Sequence, residues 1–373
     1  MNAARIACAV CLGGWLGATT AWSQPRYEAI ILHSERIPSV RSFGLGIGAG
    51  EQVGKTTPFF TGESRALLWR GGADSVVDLS VPGWDGSFAT VASGGRQAGY
   101  LYGDGRMIAG MWSGTADSFV SLHPDGYDFT WIFGMAGNQQ VGAGRPRVQS
   151  TTAEWAMLWR GTADSAVLLH LNDLSYIRSR ALGTDGEVQV GVAQRADLTS
   201  APVLWRGSAD TMVDLTPEGF LGGEAYAAAG GQQVGWLQGQ GGSAVIWFGS
   251  AENYVILNDE TIGGGRAYGT NGVQQVGYVN PDWWGPRASV WTGTRESYHD
   301  LHQYLPPAYQ EQGGESYARG IDAEGNIIGY AYGALDFRPH AVLWRPVPEP
   351  GTLVGLGALL ALLAARRRRA KVN

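Results

Sequence analysis

The sequence predicts an all-β fold, a seven-bladed β-propeller, and three observations carry that prediction. A Trp-centred block recurs seven times, at Trp69, Trp112, Trp159, Trp205, Trp247, Trp291 and Trp344. Turn residues cut each repeat into four short stretches of strand-like pattern, with no competing helical period. A unit of about 40–50 residues with four strands has the size of one blade, and it buries both faces only when neighbours stack on it.

Each part of the block has a reading. Ala stands three residues before the Trp in six copies (Ala66, Ala109, Ala156, Ala244, Ala288, Ala341), with Pro202 in the fourth. Gly follows the Trp at plus two (Gly71, Gly114, Gly161, Gly207, Gly249, Gly293), and Leu follows at plus ten (Leu79, Leu122, Leu169, Leu215, Leu257, Leu301). A carboxylate stands at plus five: Asp74, Asp117, Asp164, Asp210, Glu252 and Glu296. Its presence in every copy marks a scaffold role, satisfying turn amides, rather than an active site. Upstream of each Trp lies an apolar or Ala residue followed by Gly, from Val53-Gly54 to Ile328-Gly329, preceded in six copies by Gln. That Gly is expected to permit a bulge or a close backbone approach, and the tryptophans to fill the wedge between sheets.

In the second repeat the strands are expected at 88–93, 96–102, 107–112 and 119–122. The seventh repeat stops at Trp344-Arg345-Pro346 and lacks its plus-ten Leu. The unmatched segment 27–34 precedes the first repeat and is expected to supply the missing outer strand, closing the ring without an open edge. The domain organisation is then an export signal over 1–23, the propeller over 24–346 and a C-terminal sorting segment over 347–373.

The first segment shows a positive Arg5, an uncharged and mostly apolar stretch over 6–17, and small residues in Ala21-Trp22-Ser23, which predicts cleavage before Gln24. Cys8 and Cys11, the two cysteines of the chain, both fall inside it. The remainder can form no disulfide, zinc-thiolate site or cysteine nucleophile. Leaving out Arg5, the five C-terminal cations and Glu349 takes the 27 basic and 33 acidic residues to 21 and 32, a net charge near −11. Such a body repels nucleic acid and anionic membrane.

At the other end, Val347-Pro348-Glu349-Pro350 precedes an uncharged stretch over 352–365 and then Arg366, Arg367, Arg368, Arg369 and Lys371. Fourteen helical residues span about 21 Å, short against a hydrocarbon core of about 30 Å. The basic cluster would stay cytoplasmic and leave the body outside the cell. Pro-Glu-Pro, apolar helix and Arg cluster in this order resemble the PEP-CTERM sorting signal of Gram-negative bacteria. The resemblance implies recognition by an exosortase-type membrane protease after signal peptidase, and processing near Pro348-Glu349-Pro350. It also implies a transient inner-membrane anchor and delivery to the cell surface or an exopolysaccharide (biofilm) matrix. His340-Ala341-Val342-Leu343-Trp344, with Gly325-Asn326-Ile327-Ile328-Gly329 upstream, resembles the HAF-type repeats of bacterial surface proteins, which implies an extracellular repeat protein and names no reaction. Arg65, Trp155 and Arg287 depart from the pattern at the position of His340.

The candidate ligand face is formed by connections 55–65, 143–155 and 279–287, which a propeller would present together. They carry Phe59, Phe60, Trp155, Trp283 and Trp284, rings suited to stacking on sugars or on a protein surface. His299 and His302 would face opposite sides of a strand, so no metal site is expected, and no cofactor. The expected function is a non-catalytic surface or matrix protein binding exopolysaccharide or envelope proteins. The alternative is a propeller glycosidase or polysaccharide lyase, for which Asp128, Asp282 and Glu315 are the non-repeated acids.

Overall fold

The computed structural model describes residues 25–348 apart from 38, 40, 58–62, 148–152, 172–174, 240, 260, 282–284 and 334–337. Each repeat folds as a four-stranded antiparallel sheet because short Gly- and Asp-rich turns return the chain between strands of at most ten residues. In the second repeat the strands are Gly86–Ser93, Arg96–Gly103, Arg106–Trp112 and Val120–Ser121. The outer strand is a two-residue ladder, shorter than expected, and Leu122 extends it by donating its N–H to the Ala109 carbonyl at 2.8 Å.

The innermost strands are Ser42–Gly48, Gly86–Ser93, Tyr127–Ala136, Tyr176–Thr184, Gly223–Ala229, Gly264–Thr270 and Glu315–Ile321. Each touches the next, and the last touches the first. The second and third sheets are joined by a single parallel bridge, Phe129 to Met107. The ring therefore holds seven four-stranded blades, and the fold is a β-propeller.

The closure is made by the N-terminal segment. Arg26–Ile31 pairs antiparallel with Pro339–Val347, from Arg26 opposite Val347 to Ile31 opposite Val342. Leu32 then donates to the Ala341 carbonyl at 2.8 Å, as each plus-ten Leu does in its own blade. Leu32 is thus the missing seventh Leu, fully buried.

Seven apolar clusters occupy the seven blade interfaces. Between blades 1 and 2, Val53, Ala66 and Leu68 meet Ala89, Leu101 and Trp112. Between blades 7 and 1, Leu32, Ile328, Ala341 and Leu343 meet Ile47, Leu67 and Trp69. Each cluster contains the repeat Trp of its later blade, at most 1% exposed. In six blades the indole N–H has no hydrogen-bond partner among the described residues, while Trp344 donates to the Leu301 carbonyl at 3.0 Å. Among the described residues no helix is long and apolar enough to cross a membrane. The apolar stretch 352–365, where the sorting helix is expected, lies outside them, as does the export signal 1–23.

Candidate functional site: the mouth of the central channel

The repeated residues build the far face of the propeller, where the inner strands end. In six blades the Gln before Val-Gly (or Ala-Gly) accepts, through Oε1, the N–H of the plus-two Gly at 2.7–2.8 Å. That Gly has φ between +80° and +87°, a conformation costly for other residues. In the seventh blade both partners change together. Ile327 takes the place of Gln and offers no acceptor, and Pro346 takes the place of Gly and has no N–H to satisfy.

The carboxylate at plus five bonds locally, in three copies to its own amide and to the hydroxyl two residues before it. The hydroxyl next to it closes the turn: Ser75, Ser118, Ser165, Thr211 and Ser297 accept the N–H of Arg70, Ser113, Arg160, Arg206 and Thr292 at 2.7–2.8 Å. In the fifth blade Asn253 replaces the hydroxyl, and its carbonyl takes the Phe248 N–H instead. The carboxylates point outward; the Asp74 side chain is 92% exposed and pairs with Arg36. The hydroxyl beside the carboxylate, which spacing alone did not single out, makes the bond that spans the turn.

The histidines belong to the blade junctions. His33, His123, His170 and His302 each follow the plus-ten Leu, and their Nδ1 atoms bond Ser42, Thr130, Ser179 and Ser316 at 2.7–3.1 Å. Those hydroxyls, at most 2% exposed, also accept the N–H of Ala341, Ala109, Ala156 and Ala288. A Ser–His pair is the arrangement of an activated nucleophile, but four copies whose hydroxyls are buried and tied to backbone N–H groups hold blades together. Where Pro202 removes the N–H, Gly223 replaces the hydroxyl residue. Burial holds the imidazoles of His33, His123, His299 and His302 below their ordinary value.

The channel itself is lined by residues that do not repeat. Every inner strand carries a β-bulge at the same place, and the residue inside it is Leu45, Thr90, Phe133, Leu182, Tyr226, Tyr268 or Arg319. A bulge re-aims one side chain, and all seven line the channel. The Gly of each Val-Gly pair (Ala-Gly and Ile-Gly in the second and seventh blades) makes this possible. A Cβ at Gly54, Gly99, Gly142, Gly191, Gly235, Gly277 or Gly329 would lie 1.8–2.0 Å from a carbonyl oxygen of the bulged strand. The bulge ring divides the channel into a cavity of about 270 Å³ toward the mouth and one of about 280 Å³ toward the far face. Both are below the roughly 300–1,000 Å³ of sites that engulf a small ligand, so the throat can hold the end or edge of one.

Aromatic rings extend from the lining without a break. Tyr226 meets Tyr268 (4.9 Å), Tyr268 meets Tyr278 (5.8 Å), Tyr278 meets Tyr317 (5.2 Å), Tyr317 meets Tyr330 (5.0 Å) and Tyr330 meets Phe43 (5.0 Å). Lys55 lies over Phe43 and Phe88, and Phe88 stacks on Tyr100 at 4.8 Å. Cations interleave: Arg266 lies 4.3 Å over Trp236 and donates to the Tyr226 hydroxyl at 2.7 Å, and Arg319 lies 3.9 Å over Tyr268. These rings are half-buried, each presenting part of its surface to solvent. Burial raises the phenols of Tyr226 and Tyr317 and pushes Tyr330 up to about 12. Sequence reasoning looked for aromatics in the loops and missed this arc. Its signal was the residue after the Gly of each pair, which is Lys55, Tyr100, Trp236, Tyr278 or Tyr330 in five blades.

Of the expected ligand face, Phe59, Phe60, Trp283 and Trp284 lie outside the described residues. Trp155 opens the strand Trp155–Trp159, and its half-buried ring stacks on His170 at 5.3 Å. Arg65 and Arg287, at the equivalent position, pair with Asp78 and Asp300 across their own blades. Pro348 is exposed just after the last strand. Glu349, Pro350, Arg366, Arg367, Arg368 and Arg369 lie outside the described residues. Asp128 pairs with Arg147 on the surface, Glu315 accepts the Tyr317 hydroxyl at 3.0 Å, and Asp282 lies outside the described residues. Among the described residues lining the channel, Glu224 is the one carboxylate.

No family model and no curated protein matches the chain. Similar solved structures include a post-proline cleaving enzyme from Rickettsia typhi, 8% identical over 84% of this chain and 53% of that one, with a TM-score of 0.50. A prolyl endopeptidase is 10% identical over 83% and 51% (TM-score 0.53). An acylaminoacyl peptidase from Pyrococcus horikoshii is 10% identical over 85% and 54% (TM-score 0.50). The chain spans about half the length of these proteins, and at such identities the likeness is one of fold, the β-propeller.

Proposed function

We propose that this chain is an exported, non-catalytic binding propeller of the cell surface or exopolysaccharide matrix, taking carbohydrate at the mouth of its channel. The observation that supports this reading is the arc of half-buried rings that runs from Tyr226 to Phe43 and continues across the Lys55 ammonium to Phe88 and Tyr100, set among cations at positions the repeat leaves free to vary. A pyranose ring offers a flat face of C–H groups that rests on such a surface, while its hydroxyls reach the guanidinium groups. Binding by the purified protein to the producer's own exopolysaccharide tests the reading. Tyr268→Ala/Tyr317→Ala should abolish binding, and retention of full affinity by that variant would refute it.

The export signal, the PEP-CTERM-like tail and a transient inner-membrane anchor belong to the same proposal. Signal peptidase and an exosortase-type protease are its processing partners. Changing Pro348, Glu349 and Pro350 to Ala should leave the chain in the membrane fraction of the producing cells. Unaltered release to the surface or matrix would count against the sorting role.

A further inference from the structure

At the channel mouth several cations lie against aromatic rings and not against carboxylates, although Arg180 in the lining is paired with Glu154. Arg36, Arg65, Arg70, Arg147, Arg180, Arg195, Arg287 and Arg295 each have a carboxylate within 4 Å. Lys55, Arg145, Arg266 and Arg319 form no ion pair among the described residues; each lies over an aromatic ring, at 3.6–4.3 Å for its nearest one. Lys55 is the single lysine of the body, and burial lowers its ammonium without a carboxylate to raise it. The body carries a net charge near −11, yet these four stand without a carboxylate partner among the described residues. Here they are held apart by rings, with their outer faces left for another anion. The carboxylates nearby are Glu154, paired with Arg180, Glu315, bonded by Tyr317, and Glu224 in the lining.

We infer that the channel mouth selects an anionic polysaccharide, one whose sugar rings lie on the tyrosine arc while their carboxylate or sulfate groups meet Lys55, Arg266 and Arg319. The inference rests on the carbohydrate-binding reading above and narrows it to a charge class. It also resolves an apparent conflict. The acidic body repels polyanions at long range, so recognition occurs where the field reverses locally, and wrong-charge surfaces are rejected.

The test titrates the purified full chain with alginate (a uronate), dextran sulfate, neutral dextran and polyglutamate. Binding to alginate or dextran sulfate, weakening as salt rises, is the expected result, and the preferred polymer tells carboxylate from sulfate. Arg319→Gln and, separately, Lys55→Gln should each weaken that binding about tenfold, the loss of one charge-assisted contact, with the melting temperature monitored for both. Equal binding to neutral dextran would overturn the charge selection while leaving the carbohydrate reading intact. Equal binding to polyglutamate would overturn the requirement for sugar, and binding to none of the four would remove both.

Discussion

The two ends of the channel are built from the same seven strands and differ in what they hold constant. At the far face the Gln–Gly clamp and the hydroxyl-capped turn recur almost unchanged from blade to blade. At the mouth the bulge residue is Leu, Thr, Phe, Leu, Tyr, Tyr and Arg in turn. A feature present in every blade satisfies a need that every blade has, namely unpaired amides and apolar wedges. A site for one ligand is built once, so its residues are those the repeat does not dictate. The seventh blade sharpens the point: its clamp is lost as a pair, Ile327 with Pro346, so the geometry tolerates the change.

The largest expected effect comes from breaking the ring. Deleting residues 25–34 removes Tyr27 and Leu32 from two interfaces, which costs on the order of 5 kcal/mol. It also leaves Pro339–Val347 as an open edge. Thermal unfolding should lose its single cooperative transition, and light scattering should report aggregation. Next, Trp247→Ala empties the interface between blades 4 and 5 and should cost about 3–5 kcal/mol in chemical denaturation. Gln275→Ala strands the Gly293 N–H and should cost about 1–2 kcal/mol, whereas Ile327→Ala, tested beside it, should act only through lost apolar volume.

A pH titration probes the same scaffold. His33, His123, His299 and His302 are held below their ordinary value by burial. The unfolded chain therefore binds more protons, and stability present above about pH 6.5 is lost as pH falls below it. Asp322, raised by burial, acts in the opposite sense in the carboxylate range. Melting temperature should fall between pH 7 and pH 5. The smallest effect on stability is expected at the mouth: Tyr268→Ala should cost about 1 kcal/mol, the ring being half-solvated, while binding is lost.

The scaffold was legible in the sequence because its demands repeat. The Trp spacing gave the blade count, and the plus-ten Leu missing from the last repeat, with the unmatched segment 27–34 before the first, foretold the closure that Leu32 completes. The site was hidden for a physical reason. A bulge shifts the alternation of a strand by one residue, so a pattern reader assigns Tyr226, Tyr268 and Arg319 to the wrong face. The loop aromatics stood out as exceptions to the repeat, while the channel tyrosines stood beside its most regular glycines and passed as part of it.

Hydrogen exchange of the protein with and without the producer's exopolysaccharide tests the division between the two ends most directly. The account predicts protection confined to the mouth-side halves of the first and second strands in blades 5, 6, 7, 1 and 2, around Tyr226, Tyr268, Tyr278, Tyr317, Tyr330, Lys55 and Tyr100. Protection centred on the far-face turns after each repeat Trp would contradict it.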